Sequence, residues 1–179
     1  MITGALISAS LSKYARPGVL KLPPEFEAIP FAYPGKTSDT FVEKVTAIEF
    51  GNLDCVILSL GTNDVSKCSK SPSNFAGAIQ DFIRNTSFIV GCKVCSLFPR
   101  NDNHMWAART NRVNNLLRTR LKKMDMPNLE LIFLDNGIKF KASSKRRNET
   151  QEILAKQEMM ATSNGLHFSE KGLAVFSDL

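Results

Sequence analysis

With 179 residues, 43% hydrophobic and 22% charged, the chain has the length of one domain and the composition of a soluble globular protein. No apolar run approaches the ~18 residues that cross a bilayer, and the opening "MITGALISASLSKYARPG" lacks the basic region of a signal peptide, so disorder, a membrane span and secretion are not expected. The formal net charge of +6 gathers in Arg109 to Lys123 and Lys139 to Arg147, which makes RNA or another polyanion a candidate partner beside the plainer reading of a solvated basic face.

In chain order, five short runs rich in Ile, Val, Leu and Phe are predicted strands: Gly4 to Ala9, Ala28 to Tyr33, Cys55 to Leu60, Lys93 to Phe98 and Leu129 to Leu134. Their near-continuous apolarity suits a parallel sheet covered on both faces. Helical spacing fills the intervals. Phe41, Val45 and Ile48 mark one helix, capped by Thr37, Ser38 or Asp39 and stopped at Gly51. A second begins near "SPSN" and carries Phe75, Ile79, Phe82 and Ile83. A third carries the stripe Trp106, Val113, Leu117, Leu121 and Met124, with Arg109, Arg112, Arg118 and Lys122 largely off it and Pro127 as its end. "ETQEILAKQEMM" and "EKGLAVFSDL" predict two shorter helices, and the basic stretch around 141–150 a surface loop. This alternation predicts an α/β fold, a three-layer α/β/α sandwich around an about five-stranded, flavodoxin-like parallel sheet, with residues 1–179 as a single domain.

In such folds chemistry collects beyond the C-terminal strand ends. Those ends carry "SAS" (Ser8 to Ser10), "PGKTSD" (Pro34 to Asp39), "GTND" (Gly61 to Asp64), "PRND" (Pro99 to Asp102) and "DNG" (Asp135 to Gly137). Three of them supply what acyl transfer needs. Ser10 is a nucleophile candidate on a strand-to-helix turn, Gly35 a backbone N–H with no side chain in the way, and Asn63 a side-chain amide donor. His167, in "TSNGLHFSEKGL", reaches the same edge from the C-terminal loop as a candidate base. Each alone has a plainer reading as a turn, cap or loop residue.

The order Ser10, Gly35, Asn63, His167 resembles the SGNH hydrolases, the GDSL-type lipases and acylesterases. "LSLGTND" is similar to that family's third block, "NGLHFSEKG" to its last and "PGKTSDTFVEKV" to its second, so the resemblance covers almost the whole chain. "CSLFPRND", "TNRVNNLLRTRL" and "LELIFLDNG" are further similar to the esterase domains of LINE retrotransposon first-open-reading-frame proteins. The resemblance implies a serine acylesterase or deacetylase acting on a lipid or acetylated ester. Ser10 would attack the carbonyl, His167 act as general base, and Ser10 N–H, Gly35 N–H and the Asn63 amide hold the oxyanion. No metal and no cofactor is implied.

Two departures from that pattern matter. Ser8-Ala9-Ser10 stands where the family reads Gly-Asp-Ser, which makes Ser8 a rival nucleophile. Asn164 stands three before the histidine, where the family places the aspartate that orients it. Asparagine cannot supply that charge, and in the serine-protease template this exchange costs ~10⁴ in kcat. Asp102 and Asp135, at strand ends, are candidate substitutes. The second reading is therefore a catalytically degenerate domain that keeps the fold and binds RNA or a protein through its basic surface.

The remaining signals are weighed briefly. Cys92 and Cys95 have redox or zinc spacing, but on a strand residues three apart face opposite sides, so core cysteines are expected. With two histidines in the chain, structural zinc is not expected. Four cysteines point to a reducing, intracellular and cytoplasmic setting, in which the "NTS" and "NET" sequons carry no meaning. His104 reads as exposed or capping. Arg100 is a candidate contact for an anionic substrate. No "GxGxxG" or "GKS/T" occurs, which argues against nucleotide binding and leaves a flavin-binding flavodoxin-like protein as a third alternative.

Overall fold

The computed structural model describes residues 2–8, 25–40, 53–67, 70–85, 91–97, 103–132, 139–141 and 153–155. All five predicted strands are present as β1 (Ile2–Ser8), β2 (Phe26–Ala32), β3 (Cys55–Ser59), β4 (Gly91–Cys95) and β5 (Leu129–Ile132). They form one all-parallel sheet in the order β2-β1-β3-β4-β5. This is the flavodoxin-like order, so the chain reverses its direction of growth around β1. In folds of this order ligands bind at that reversal, beyond the C-terminal strand ends, here those of β1 and β3.

The register explains the apolar runs. Ala5, Val56 and Cys92 stand abreast, as do Ile7, Leu58 and Val94, and all six are buried. They join Phe75, Ile79, Phe82 and Ile83 of α2 (Pro72–Asn85) and Val113, Leu117 and Leu121 of α3 (His104–Leu121) in one core. Leu6, between Ala5 and Ile7, is buried too, so β1 is covered on both faces as the middle layer of a sandwich requires. Along that second face the row runs Leu6, Ile57, Lys93, Glu130, and its last two members pair at 3.0 Å across β4 and β5. Both are about half exposed, so the pair contributes at most ~1 kcal/mol.

The helices start where their capping residues predict. Ser71 Oγ accepts from Asn74 N at 3.1 Å ahead of α2, whose first residue is Pro72. Asn103 caps α3, accepting from Met105 N at 2.9 Å and Trp106 N at 3.3 Å. Asn114, buried in α3, grips the chain just beyond β4: its Oδ1 accepts from Leu97 N at 2.7 Å and its Nδ2 donates to Leu97 O at 2.8 Å. A side-chain amide here does the work of a neighbouring strand.

Three expectations are corrected. α3 ends at Leu121 and not at Pro127, because Lys123 N and Met124 N bond three residues back and tighten the chain toward β5. Met124 nevertheless stays in the core. The helix predicted over "ETQEILAKQEMM" gives way at its centre to β7 (Ile153–Ala155), which pairs antiparallel with β6 (Lys139–Lys141). β6 also replaces the first residue of the predicted basic loop. Local helical spacing is a weak prior that such pairing overrides. The helix stretch predicted over Phe41 to Ile48 and the "EKGLAVFSDL" helix lie outside the described residues; residues 38–40, just ahead of the former, are helical.

Cys92 and Cys95 are core cysteines, as expected. Burial pushes both thiols up to about 12, and Cys55 is raised by the same cause. Among the described residues no group of three or more His, Cys, Asp and Glu is placed to hold a metal, and no helix is long and apolar enough to cross a membrane.

Candidate active site

β1, β2 and β3 bring their C-terminal ends side by side, with Ser8 paired to Ala32 on one flank and to Ser59 on the other. Ser8 O accepts from Tyr33 N at 3.1 Å, which extends the β1–β2 ladder one residue past β2. Ser8, the rival nucleophile, is fully buried. Ser10 lies two residues further on, outside the described residues, as do His167, Asn164, Arg100, Asp102 and Asp135.

After β2 the chain turns through Tyr33, Pro34, Gly35 and Lys36, closed by Lys36 N donating to Tyr33 O at 3.2 Å. Proline at the second position fixes a negative φ, and Gly35 at the third has φ +72°. Only a type II turn combines these. Gly35 is exposed, and a Cβ built on it would meet nothing within 4 Å.

After β3 comes Gly61, with φ +108° and the Phe75 ring pressed against its Cα hydrogens; a Cβ there would lie 2.4 Å from Phe75 Cζ. Glycine is required here both by conformation and by space. Val65 N donates to Gly61 O at 3.0 Å and starts the short helix α1 (Thr62–Lys67), labelled in chain order ahead of α2 and α3.

Three side chains of α1 reach back to the turn after β2. Asn63 Nδ2 donates to Lys36 O at 3.0 Å, and Lys67 Nζ donates to Gly35 O at 2.7 Å. Asp64, buried, accepts from Ser38 N at 3.1 and 3.0 Å and from Ser38 Oγ at 2.6 Å. Outside these, Lys70 pairs with Asp39, and Arg109 of α3 donates to Lys70 O. Gly35 and Asn63, picked from sequence as donors, are thus held one residue apart through Lys36. An amide nitrogen carries two hydrogens, so Asn63 keeps a second N–H while bonding Lys36 O.

The braces Ser38, Asp64 and Lys67 were not singled out as site residues by sequence reasoning. One signal was available: Asn63 and Lys67 are four apart and so share a helix face.

No family model and no curated protein matches the chain. Solved structures do. A Streptococcus pneumonia protein assigned as a platelet activating factor is 18% identical, with a TM-score of 0.73 over 99% of this chain and 81% of that one. A GDSL-like lipase of Bacteroides thetaiotaomicron is 13% identical, with a TM-score of 0.72 over 99% of this chain and 84% of the other. A catalytic mutant of Axe2, an acetylxylan esterase of Geobacillus stearothermophilus, is 10% identical, with a TM-score of 0.73 over 99% and 91%. At these identities the likeness is one of fold, and the fold is the α/β one shared by GDSL-type lipases and acetylxylan esterases.

Proposed function

We propose that this chain, having the fold of those enzymes, is a serine-dependent carboxylic ester hydrolase of the SGNH type. The observation that supports the reading is that Asn63 and Lys67 of α1 bond the consecutive carbonyls of Lys36 and Gly35, which ties the turn after β2 to the helix after β3. Ser10 follows Ser8, the last residue of β1, by two positions in the sequence.

In this reading Ser10 Oγ attacks the ester carbonyl while His167 takes its proton. The carbonyl oxygen gains a full negative charge and accepts from Ser10 N–H, Gly35 N–H and the second hydrogen of Asn63 Nδ2. His167 then returns its proton to the departing alcohol, and water repeats the cycle on the acyl-serine. Each donor typically contributes ~10²–10³ in rate. Asn164 leaves the imidazolium without its usual carboxylate, so turnover is slow and Asn164→Asp raises kcat. Arg100 suits an anionic portion of the substrate. A short acyl group is consistent with the acetylxylan esterases among the fold neighbours, and the likeness to LINE retrotransposon esterase domains rests on the sequence stretches alone.

The test is hydrolysis of p-nitrophenyl acetate together with labelling by a fluorophosphonate probe. Wild type turns over and is labelled at Ser10, and Ser10→Ala does neither. A wild type indistinguishable from Ser10→Ala sinks the reading.

A second reading, polyanion binding, draws on the composition of α3. That helix holds no acidic residue, and Arg112, Arg118, Lys122 and Lys123 on it and just beyond it are exposed. RNA affinity falling steeply between 50 and 200 mM salt supports that reading; absent or salt-independent binding removes it.

A further inference from the structure

Lys67 has an unusual partner. Among the described residues the ion pairs are Lys70–Asp39, Arg84–Asp81 and Lys93–Glu130, and none includes Lys67. Its ammonium is spent instead on a neutral acceptor, the Gly35 carbonyl, at 2.7 Å. A lysine side chain is long and free to roam in water. Its placement on this one carbonyl, in a charge-assisted bond, marks the carbonyl as something held.

What is held is the frame of the turn. Asn63 and Lys67, on one face of α1, grip the consecutive carbonyls of Lys36 and Gly35. The peptide joining Gly35 to Lys36 is thereby fixed at both ends, its oxygen by Lys67 and its nitrogen by Tyr33 O. The Pro34 ring fixes the next torsion back. The only soft unit left in the turn is the Pro34–Gly35 peptide, and this is the unit that carries the Gly35 N–H.

We propose that Lys67 is a positioning residue of the oxyanion hole: by holding the Gly35 carbonyl it anchors the end of the turn on which the Pro34–Gly35 peptide pivots, and so the place of the Gly35 N–H relative to the Asn63 amide. The proposal rests on the ester-hydrolase reading above. It assigns Lys67 no contact with substrate. The effect belongs in kcat and not in KM, because the donors it aligns bind the transition state more strongly than the ester.

The experiment uses the full chain and two variants. Lys67→Met keeps the stem and removes the donor; Lys67→Arg keeps a cationic donor. kcat and KM for p-nitrophenyl acetate are measured beside the ¹³C carbonyl shift of Gly35 by NMR, and thermal unfolding is followed for both. The expected result for Lys67→Met is a fall in kcat of about tenfold, KM unchanged, the Gly35 carbonyl resonance moved upfield and the unfolding midpoint unmoved. Lys67→Arg restores most of kcat and the carbonyl shift. Unchanged kcat in Lys67→Met, or a loss in KM alone, overturns the proposal. So does a Gly35 carbonyl resonance that stays in place. Should wild type turn over no faster than Ser10→Ala, the ester-hydrolase reading falls and takes the catalytic role of Lys67 with it; an upfield shift in Lys67→Met then upholds only the strut itself.

Discussion

Replacing Gly35 with alanine separates conformation from packing at the candidate oxyanion hole. A methyl group at Gly35 meets nothing within 4 Å, so no clash is created. The backbone is the only thing disturbed, because φ is +72° and an L-residue there costs ~1–2 kcal/mol. The turn has an escape that Gly61 lacks: rotating the Pro34–Gly35 peptide converts type II to type I and brings residue 35 to negative φ. That rotation turns the N–H of residue 35 to the opposite side of the turn. Alanine therefore rests mainly in the flipped form, and catalysis must restore the original one. The rate loss cannot exceed the cost of restoration. At ~1.36 kcal/mol per decade, ~1–2 kcal/mol corresponds to a fall in kcat/KM of about 5- to 30-fold, well short of the ~10²–10³ for a donor removed outright. Asparagine tolerates the left-handed region, so Gly35→Asn loses less than Gly35→Ala. Urea unfolding should show Gly35→Ala within ~1 kcal/mol of wild type, since a less flexible unfolded chain offsets part of the strain. Initial rates on p-nitrophenyl acetate provide the assay. A thousandfold loss in a folded Gly35→Ala protein, or equal losses for Ala and Asn, refutes the turn mechanism.

Gly61→Ala combines φ +108° with a Cβ 2.4 Å from Phe75 Cζ, and urea unfolding should register a loss of about 2–4 kcal/mol; Phe75→Leu in the same chain relieves the clash and recovers only part. Asn114→Leu strands the buried N–H and C=O of Leu97 and should cost about 2–4 kcal/mol in the same assay, with a cost under ~0.5 kcal/mol counting against the strand-like role given to this amide. Cys92 and Cys95, with thiols pushed up to about 12, stay protonated at pH 8 and should resist iodoacetamide until urea is added; rapid native labelling contradicts the burial. The same raised values make the unfolded state release its thiol protons first, so stability falls as pH climbs from about 9 toward 12, visible as a declining urea midpoint.

The sheet was legible because a parallel strand buried on both faces leaves an unmistakable apolar run, and each of the five runs lies within three residues of an observed strand at either end. α2 and α3 were legible from their stripes and from Pro72 and Pro127, although Pro127 marks the next segment and not the end of α3. β6 and β7 were not, since three-residue strands carry too little pattern to compete with the helical spacing around Ile153. At the candidate site, residue type and position after a strand single out Gly35 and Asn63, and the structure adds that Asn63 bonds the turn next to Gly35. Asp64 and Ser38, 26 residues apart, and Lys67 and Gly35, 32 apart, could not be paired from sequence, because no local period connects residues brought together by a crossover between strands.

α1 is a six-residue helix, far below the length at which an isolated helix holds in water. Its order is borrowed from the turn after β2, through Asn63, Asp64 and Lys67, and the turn in exchange has its carbonyls and Ser38 bound by α1. Val65 anchors α1 in the core, and these bonds tie the turn to it. Residues 33–38 and 61–67 thus form one cooperative unit whose backbone amides should exchange with solvent at a shared opening free energy, below that of the β1–β3 core. Mild urea would then release the Gly35 and Asn63 bonds in a single local transition while the sheet beneath them remains intact.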